Sequence, residues 1–186
     1  MTTLILVRHG ETDWNRDGRF QGHADPPLNE RGRRQAHALA EQFAREPIEA
    51  VYASDLVRAH ETATIIAKRL GLDVVVDPEL RERDVGEWSG LTLAEIEERF
   101  PDQLDQWRSG HITVGESRES LTDRALTAAL RIAAAHPDGE VLLVAHGGTL
   151  RMLRRAAAPR DESPPAMANG EVARIAVRDG GFRGLD

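Results

Sequence analysis

Short apolar runs separated by helical patterns constrain the fold of this chain more than any other feature. Leu4-Ile5-Leu6-Val7 comes first, and Ala50–Ala53, Val74–Val76 and Val141–Ala145 follow. A run this short, without polar alternation, reads as a strand buried on both faces, which needs helices above and below it. The intervening segments supply them. Asn29 is set to cap a helix whose Ala36, Leu39, Ala40 and Phe43 make one apolar stripe. Ser54 is placed to cap the next, with Leu56, Ala59, Ala63, Ile66, Ala67 and Leu70 inward and Gly71 as its stop. Thr92 and Glu95 have capping-box spacing, and Pro101 closes that short helix. Ser120 and Asp123 open a long Ala/Leu helix that stops near Pro137, and another helix begins after Gly147. Pro159 to Pro165 reads as an exposed loop. Asn169-Gly170 then turns into Val172–Val177, expected as an edge strand. The alternation predicts an α/β fold, a three-layer α/β/α sandwich around a mainly parallel sheet. With 186 residues, no repeat and no linker, one domain over 1–186 is expected.

Composition narrows the function classes. The chain carries 24 Lys+Arg against 31 Asp+Glu, a net charge of −7 with histidines neutral. That balance disfavours nucleic acid and anionic membranes as partners. Lys68 is the only lysine, so the positive charge is almost all arginine, whose fork suits phosphate or carboxylate; a codon bias gives the same count. Absence of cysteine excludes disulfides, thiolate metal sites and a cysteine nucleophile. No apolar run nears the ~18 residues of a membrane span. The first strand lacks the basic flank and longer apolar core of a signal peptide, so a cytoplasmic protein is expected.

Two segments echo each other: Val7-Arg8-His9-Gly10 after the first strand and Val144-Ala145-His146-Gly147 after the strand at 141–145. In a parallel sheet ligands bind beyond the carboxyl ends of strands, so both histidines emerge on one edge. The glycines allow close backbone approach, and the helix after Gly147 offers free N–H groups to an anion. Arg58 falls in the first turn of the helix after Ala53, where a cation is unfavourable unless it helps hold an anion. Glu82 lies between Arg81 and Arg83 in the loop after Val74–Val76, as a surface ion pair or as a general acid beside an anion site. Taken singly, each has an ordinary reading, and His23, His37, His60, His111 and His136 keep theirs. Gathered at one sheet edge, Arg8, His9, Arg58, Glu82 and His146 point to an anion-binding catalytic site.

At these residues the chain resembles the histidine phosphatase superfamily, the phosphoglycerate mutase-like group. Arg8-His9-Gly10-Glu11-Thr12-Asp13-Trp14-Asn15 matches the opening signature and continues into Gly18-Arg19-Phe20-Gln21-Gly22. Ser54-Asp55-Leu56 with Arg58-Ala59, then Leu80-Arg81-Glu82 with Gly86-Glu87-Trp88-Ser89-Gly90, resemble the next blocks. Gly115-Glu116-Ser117 and Val144-Ala145-His146-Gly147 complete the order. The resemblance implies that His9 is the nucleophile that becomes phosphohistidine and that Glu82 is the proton donor. It implies that Arg8, Arg58 and His146 hold the phosphoryl oxygens. Asn15, Gln21, Gly22 and the backbone at Gly147 are then further phosphate contacts. It implies no metal and no organic cofactor. Phosphoryl transfer needs an in-line nucleophile, charge on the equatorial oxygens and a proton for the leaving oxygen, and these residue types supply all three. His9 must keep one nitrogen bare while its other N–H is held, as by a backbone carbonyl.

Within the group, mutases carry a longer insertion before the Gly-Glu-Ser block and His-Tyr after the Glu-Arg pair. This chain has only Gly90–Val114 there, and Asp84-Val85 after Arg83. Those departures favour a phosphomonoesterase on small phosphorylated metabolites over a cofactor-dependent phosphoglycerate mutase. A non-catalytic phospho-ligand binder on the same scaffold is the other alternative, disfavoured because both His9 and Glu82 are present. A short helical cap is expected at about 91–117. Arg83, Trp107, Arg108 and His111 are candidate specificity residues, each with an ordinary core or surface reading beside it. A homo-oligomer is compatible with the sequence.

Overall fold

The computed structural model describes residues 1–109, 111, 113–159 and 163–185. Its strands are β1 (Thr2–Arg8), β2 (Ile48–Ala53), β3 (Val74–Val76), β4 (Glu140–Ala145), β5 (Val172–Arg178) and β6 (Gly181–Gly184). They form one sheet in the order β3-β2-β4-β1-β5-β6. The first four are mutually parallel, and β5 and β6 add antiparallel on the β1 side. The predicted α/β class and mainly parallel sheet are therefore both present.

Side-chain alternation splits each apolar run between two layers. Leu4, Leu6, Val141 and Leu143 face α6 (Arg118–Ala135) and α7 (Gly147–Ala157), packing on Ala125, Ile132, Leu150 and Leu153. Ile5, Val7, Val51, Leu142 and Val144 face α2 (Glu30–Phe43) and α3 (Val57–Leu70), packing on Phe43, Ala59, Ala63 and Ile66. Burying each large aliphatic side chain contributes about 1.5–3 kcal/mol, so both faces of the sheet need their helices. A smaller third core joins Trp88 to Ile96 of α4 (Leu93–Arg99), Leu104 of α5 (Pro101–Arg108) and Val114, the last three within the stretch expected as a cap.

Several local expectations are corrected. The strand at 172–177 is not an edge: Asp179 and Gly180, at φ 51° and 76°, close a hairpin that places β6 outside it. Two consecutive left-handed residues are the signature of the tight hairpin turn that Asp-Gly favours. Ser54 does not cap α3. Leu56 holds the N-cap position, and Asp25 accepts from the Val57 N–H at 2.6 Å from a distant loop. α6 begins three residues early, capped by Ser117, whose side chain accepts from Ser120 N at 3.0 Å. Pro101 both ends α4 and opens α5 at its first turn, where its missing N–H costs nothing. A short α1 (Asp13–Arg16), capped by Thr12, was not anticipated. Of the expected loop at 159–165, residues 160–162 lie outside the described residues.

One backbone contact fixes the start of the site. A Cβ on Gly32 would stand 2.1 Å from the Glu11 carbonyl oxygen, and one on Gly10 2.4 Å from that of Gly32. The amino end of α2 therefore presses directly on the chain leaving β1, and only glycine permits it.

Candidate active site

Parallel register brings the two echoing segments side by side. Arg8 pairs with Ala145, and the His9 N–H donates to the Ala145 carbonyl at 3.0 Å. The rings of His9 and His146 consequently stand 5.1 Å apart, both buried. His9 Nδ1 lies 2.7 Å from the Gly10 carbonyl. A carbonyl only accepts, so Nδ1 bears the hydrogen and Nε2 of the neutral ring is bare. The loop is held in turn by Thr62, which accepts from Gly10 N at 3.1 Å and donates to the Arg58 carbonyl at 2.7 Å.

Two arginines stand in the same place, and among the described residues neither makes an ion pair shorter than 4.0 Å. Arg58 is 1% exposed; its Nη atoms donate to the Ala24 and Gly22 carbonyls at 2.8 and 2.9 Å. Its nearest carboxylate, on Asp25, is 4.0 Å away, and burial draws its pKa down to about 10, still protonated at neutral pH. Arg8 donates to the Met167 carbonyl, and burial lowers its pKa too, opposed by Glu82 and Glu171. Among the described residues the Nε atoms of both arginines and both ring nitrogens of His146 find no partner. Buried donors without partners are costly unless something else satisfies them.

Burial, and then the charge of Arg58, hold both histidines well below the ordinary imidazole range; Arg8 adds to this for each. Unfolded histidine takes up a proton below about 6.5 while the folded rings refuse it, so stability is full above that value and falls as pH drops through it. Each of the two rings is expected to cost about 1.4 kcal/mol per pH unit in that window. Urea midpoints at about pH 7 and pH 5 check this, and a flat stability across the interval would contradict it.

Glu82 closes the other side. One oxygen accepts from Gly148 N at 2.9 Å and the other from Arg83 N at 2.8 Å. A Cβ at Gly148 would sit 2.2 Å from a Glu82 oxygen, so any other residue there would push the carboxylate from this position. These groups line a cavity of about 690 Å³ together with Asn15, Gln21, Gly22, Arg83 and Trp107. Asn15 Oδ1 receives Thr12 and Asn169, while its Nδ2 has no partner among the described residues. Gln21 Oε1 accepts from Thr12 Oγ1 at 3.1 Å. His146 does not line the cavity but packs on His9, and a Cβ on Gly147 would stand 3.5 Å from the Arg8 guanidinium.

Arg83 lies 5.7 Å over the Trp107 ring at the wall. Arg108 and His111 are not brought there: Arg108 faces Glu97 at 3.6 Å, and His111 Nδ1 contacts Ser109 Oγ at 2.7 Å. The cavity also gathers Arg19, Arg118, Arg151 and Gly148, which the sequence reading did not single out. Arg151 could have been found, one helical turn after Gly147. Asn169, holding the His9 carbonyl at 3.0 Å, gave no signal beyond its turn. Among the described residues no group of three His, Asp or Glu side chains is placed to hold a metal ion.

Two buried histidines held neutral beside arginines, at the carboxyl ends of adjacent parallel strands of an α/β fold, make a setting suited to a small anion. The chain belongs to the histidine phosphatase superfamily (branch 1), whose model matches residues 4–185. Phosphoglycerate mutase-like protein 4 of Arabidopsis thaliana is 40% identical over 184 residues, 95% of this chain and 80% of that protein. A metal-independent phosphoserine phosphatase of the same plant is 42% identical over 161 residues, 82% of this chain and 67% of that protein. Among solved structures, Bacillus stearothermophilus YhfR superposes with a TM-score of 0.91 at 36% identity, covering 100% of this chain and 96% of that one. A mycobacterial glucosyl-3-phosphoglycerate phosphatase complexed with VO3 gives 0.85 at 34% identity, covering 97% and 95%.

Proposed function

We propose that this chain is a metal-independent phosphomonoesterase that hydrolyses small phosphorylated metabolites through a phosphohistidine at His9. The hydrolase class rests on family membership together with relatives named as phosphatases. The observation that carries the mechanism is the Nδ1 contact of His9 to the Gly10 carbonyl, on a ring kept neutral by burial and Arg58. Neutral imidazole with Nε2 bare is the form that attacks phosphorus. As the Nε2–P bond forms, the P–O bond to the leaving alcohol breaks, and Glu82 gives that oxygen its proton. The Glu82 carboxylate then takes a proton from water, which attacks the phosphohistidine and releases phosphate and neutral His9.

Arg8 and Arg58 line the cavity, each with an Nε that protein groups leave unpaired for the equatorial oxygens, and Asn15, Gln21 and Gly22 add contacts. His146, whose ring nitrogens are also unpaired, and Gly147 stand behind this lining as the remaining phosphoryl contacts of the reading. Fixed donors in a buried site do this without reorganising during the reaction. Glu82 accepts from Gly148, the second residue of α7, which ties the proton donor to the helix that follows His146. Arg83, Arg118 and Arg151 line the cavity without an acidic partner among the described residues, although Glu119 lines it too. They favour a phosphomonoester bearing a second acidic group, in keeping with relatives named for phosphoserine and glucosyl-3-phosphoglycerate. In this reading residues 1–186 act as one catalytic domain, with 91–117 as its cap. A cytoplasmic setting suits a cysteine-free chain acting on such metabolites. No helix among the described residues is long and apolar enough to cross a membrane.

The test is a panel of phosphomonoesters assayed for phosphate release with chelator present, beside a 3-phosphoglycerate isomerisation assay. Phosphate release is expected to dominate and to survive the chelator. Isomerisation outrunning release would make the chain a mutase.

A further inference from the structure

The Gly115-Glu116-Ser117 block was recognised in the sequence with no role attached, and its glutamate lies outside the cavity lining. Its partner is Arg124, on the second turn of α6. Arg124 Nε and Nη2 fork onto the two Glu116 oxygens, each at 2.7 Å. The remaining hydrogens go to consecutive parts of one loop: Nη1 donates to the Glu79 and Arg81 carbonyls, both at 2.7 Å, and Nη2 to the Glu82 carbonyl at 3.0 Å. Every N–H of the guanidinium is thus used. Glu116 is itself anchored, since its N–H donates to the Asp84 carbonyl at 2.9 Å and it accepts from Ser120 Oγ at 3.1 Å.

The site therefore holds Glu82 from two directions. Its carboxylate is held from α7 by Gly148, while its main chain is held from α6 by Arg124. Thr149 adds a bond to the Arg81 carbonyl at 2.6 Å, and His23 contacts the Glu82 carbonyl at 2.8 Å. The loop has little structure of its own: Arg81 to Val85 forms neither helix nor strand, between one-turn helices at Pro78–Leu80 and Gly86–Trp88. A general acid works only within hydrogen-bond reach of the oxygen it protonates, so freedom in this backbone becomes misplacement of the proton. A charged planar fork is the side chain best shaped to bind a carboxylate and several carbonyls at once.

We infer that Arg124, held by Glu116, is a positioning residue that sets Glu82 for proton donation to the leaving group. The inference rests on the reading of Glu82 as the proton donor. It predicts a selective defect: esters of alkyl alcohols need the proton, whereas nitrophenyl phosphate departs largely without it.

The experiment compares kcat/KM for an alkyl phosphomonoester that the wild type hydrolyses and for nitrophenyl phosphate, in wild type, Arg124→Lys, Glu116→Gln and Glu82→Gln. Glu82→Gln is expected to lose on the order of 10²–10⁴-fold in kcat/KM on the alkyl ester and far less on nitrophenyl phosphate, because kcat/KM ends at departure of the alcohol and excludes the later proton transfer from water. Arg124→Lys and Glu116→Gln are expected to lose at least about tenfold in kcat/KM on the alkyl ester, with kcat/KM on nitrophenyl phosphate nearly unchanged. If Glu82→Gln is selective but the other two lose both activities equally, Arg124 only supports the fold and the inference is wrong. If Glu82→Gln itself shows no selectivity, the proton-donor reading fails and the inference falls with it. Glu116→Gln keeps the shape of the pair, so it decides the matter should Arg124→Lys not fold.

Discussion

His9→Ala is expected to reduce phosphate release by at least about 10³-fold and to leave no phosphorylated protein after acid-free quenching. The effect is this large because nothing else at the strand ends can replace the nucleophile. His146 lies 5.1 Å from His9, yet it packs behind that ring and does not line the cavity. The phosphate cradle should survive, since neither Arg8 nor Arg58 hydrogen-bonds to the His9 side chain. Inorganic phosphate should therefore still raise the melting temperature of His9→Ala. Turnover in chelator-treated His9→Ala above about one hundredth of wild type would rule the phosphohistidine out.

Arg58→Ala is expected to fail in the complementary way. Its guanidinium is set by the Gly22 and Ala24 carbonyls, and its Nε remains without a partner in the fold. A donor fixed in a buried site contributes about 10²–10³-fold to the rate, so kcat/KM should drop by at least that much. Phosphate binding should fall as well. A ligand at 100 times its Kd stabilises a protein by about 2.7 kcal/mol, so wild type should show a clear phosphate-dependent rise in melting temperature. Arg58→Ala should show little. Arg58→Lys should not restore it, because one ammonium cannot keep both carbonyls and face the ligand. A wild-type phosphate shift in Arg58→Ala would remove this arginine from the binding site.

Much of this site was legible because the motifs fall at the ends of apolar runs. Leu4–Val7 and Val141–Ala145 had to be buried strands, and residues directly after such strands had to share an edge. Caps made from neighbouring residues were legible too, as Asn29 on Gly32 N and Thr92 with Glu95 show. What escaped was made by residues distant in sequence. Asp25 caps α3 from another loop, and Arg124 reaches from α6 to the backbone of residues 79–82. Neither leaves a local pattern, since an arginine on a helix surface looks the same whether it is solvated or saturated by carbonyls. Arg108 and His111 show the converse: they lie in the expected cap and yet do not reach the cavity.

The sequence by itself determined the alternation of strands and helices, and with it the edge where Arg8, His9, Arg58, Glu82 and His146 gather. That much follows from short-range hydrophobic patterning, which ties a residue's place to its neighbours. Only the tertiary structure decided the state of those groups. The His9 proton sits on Nδ1 because the Gly10 carbonyl is 2.7 Å away, and the ring is neutral because it is buried beside Arg58. Protonation depends on burial and on charges brought close in space, and those distances exist only once the sheet has closed.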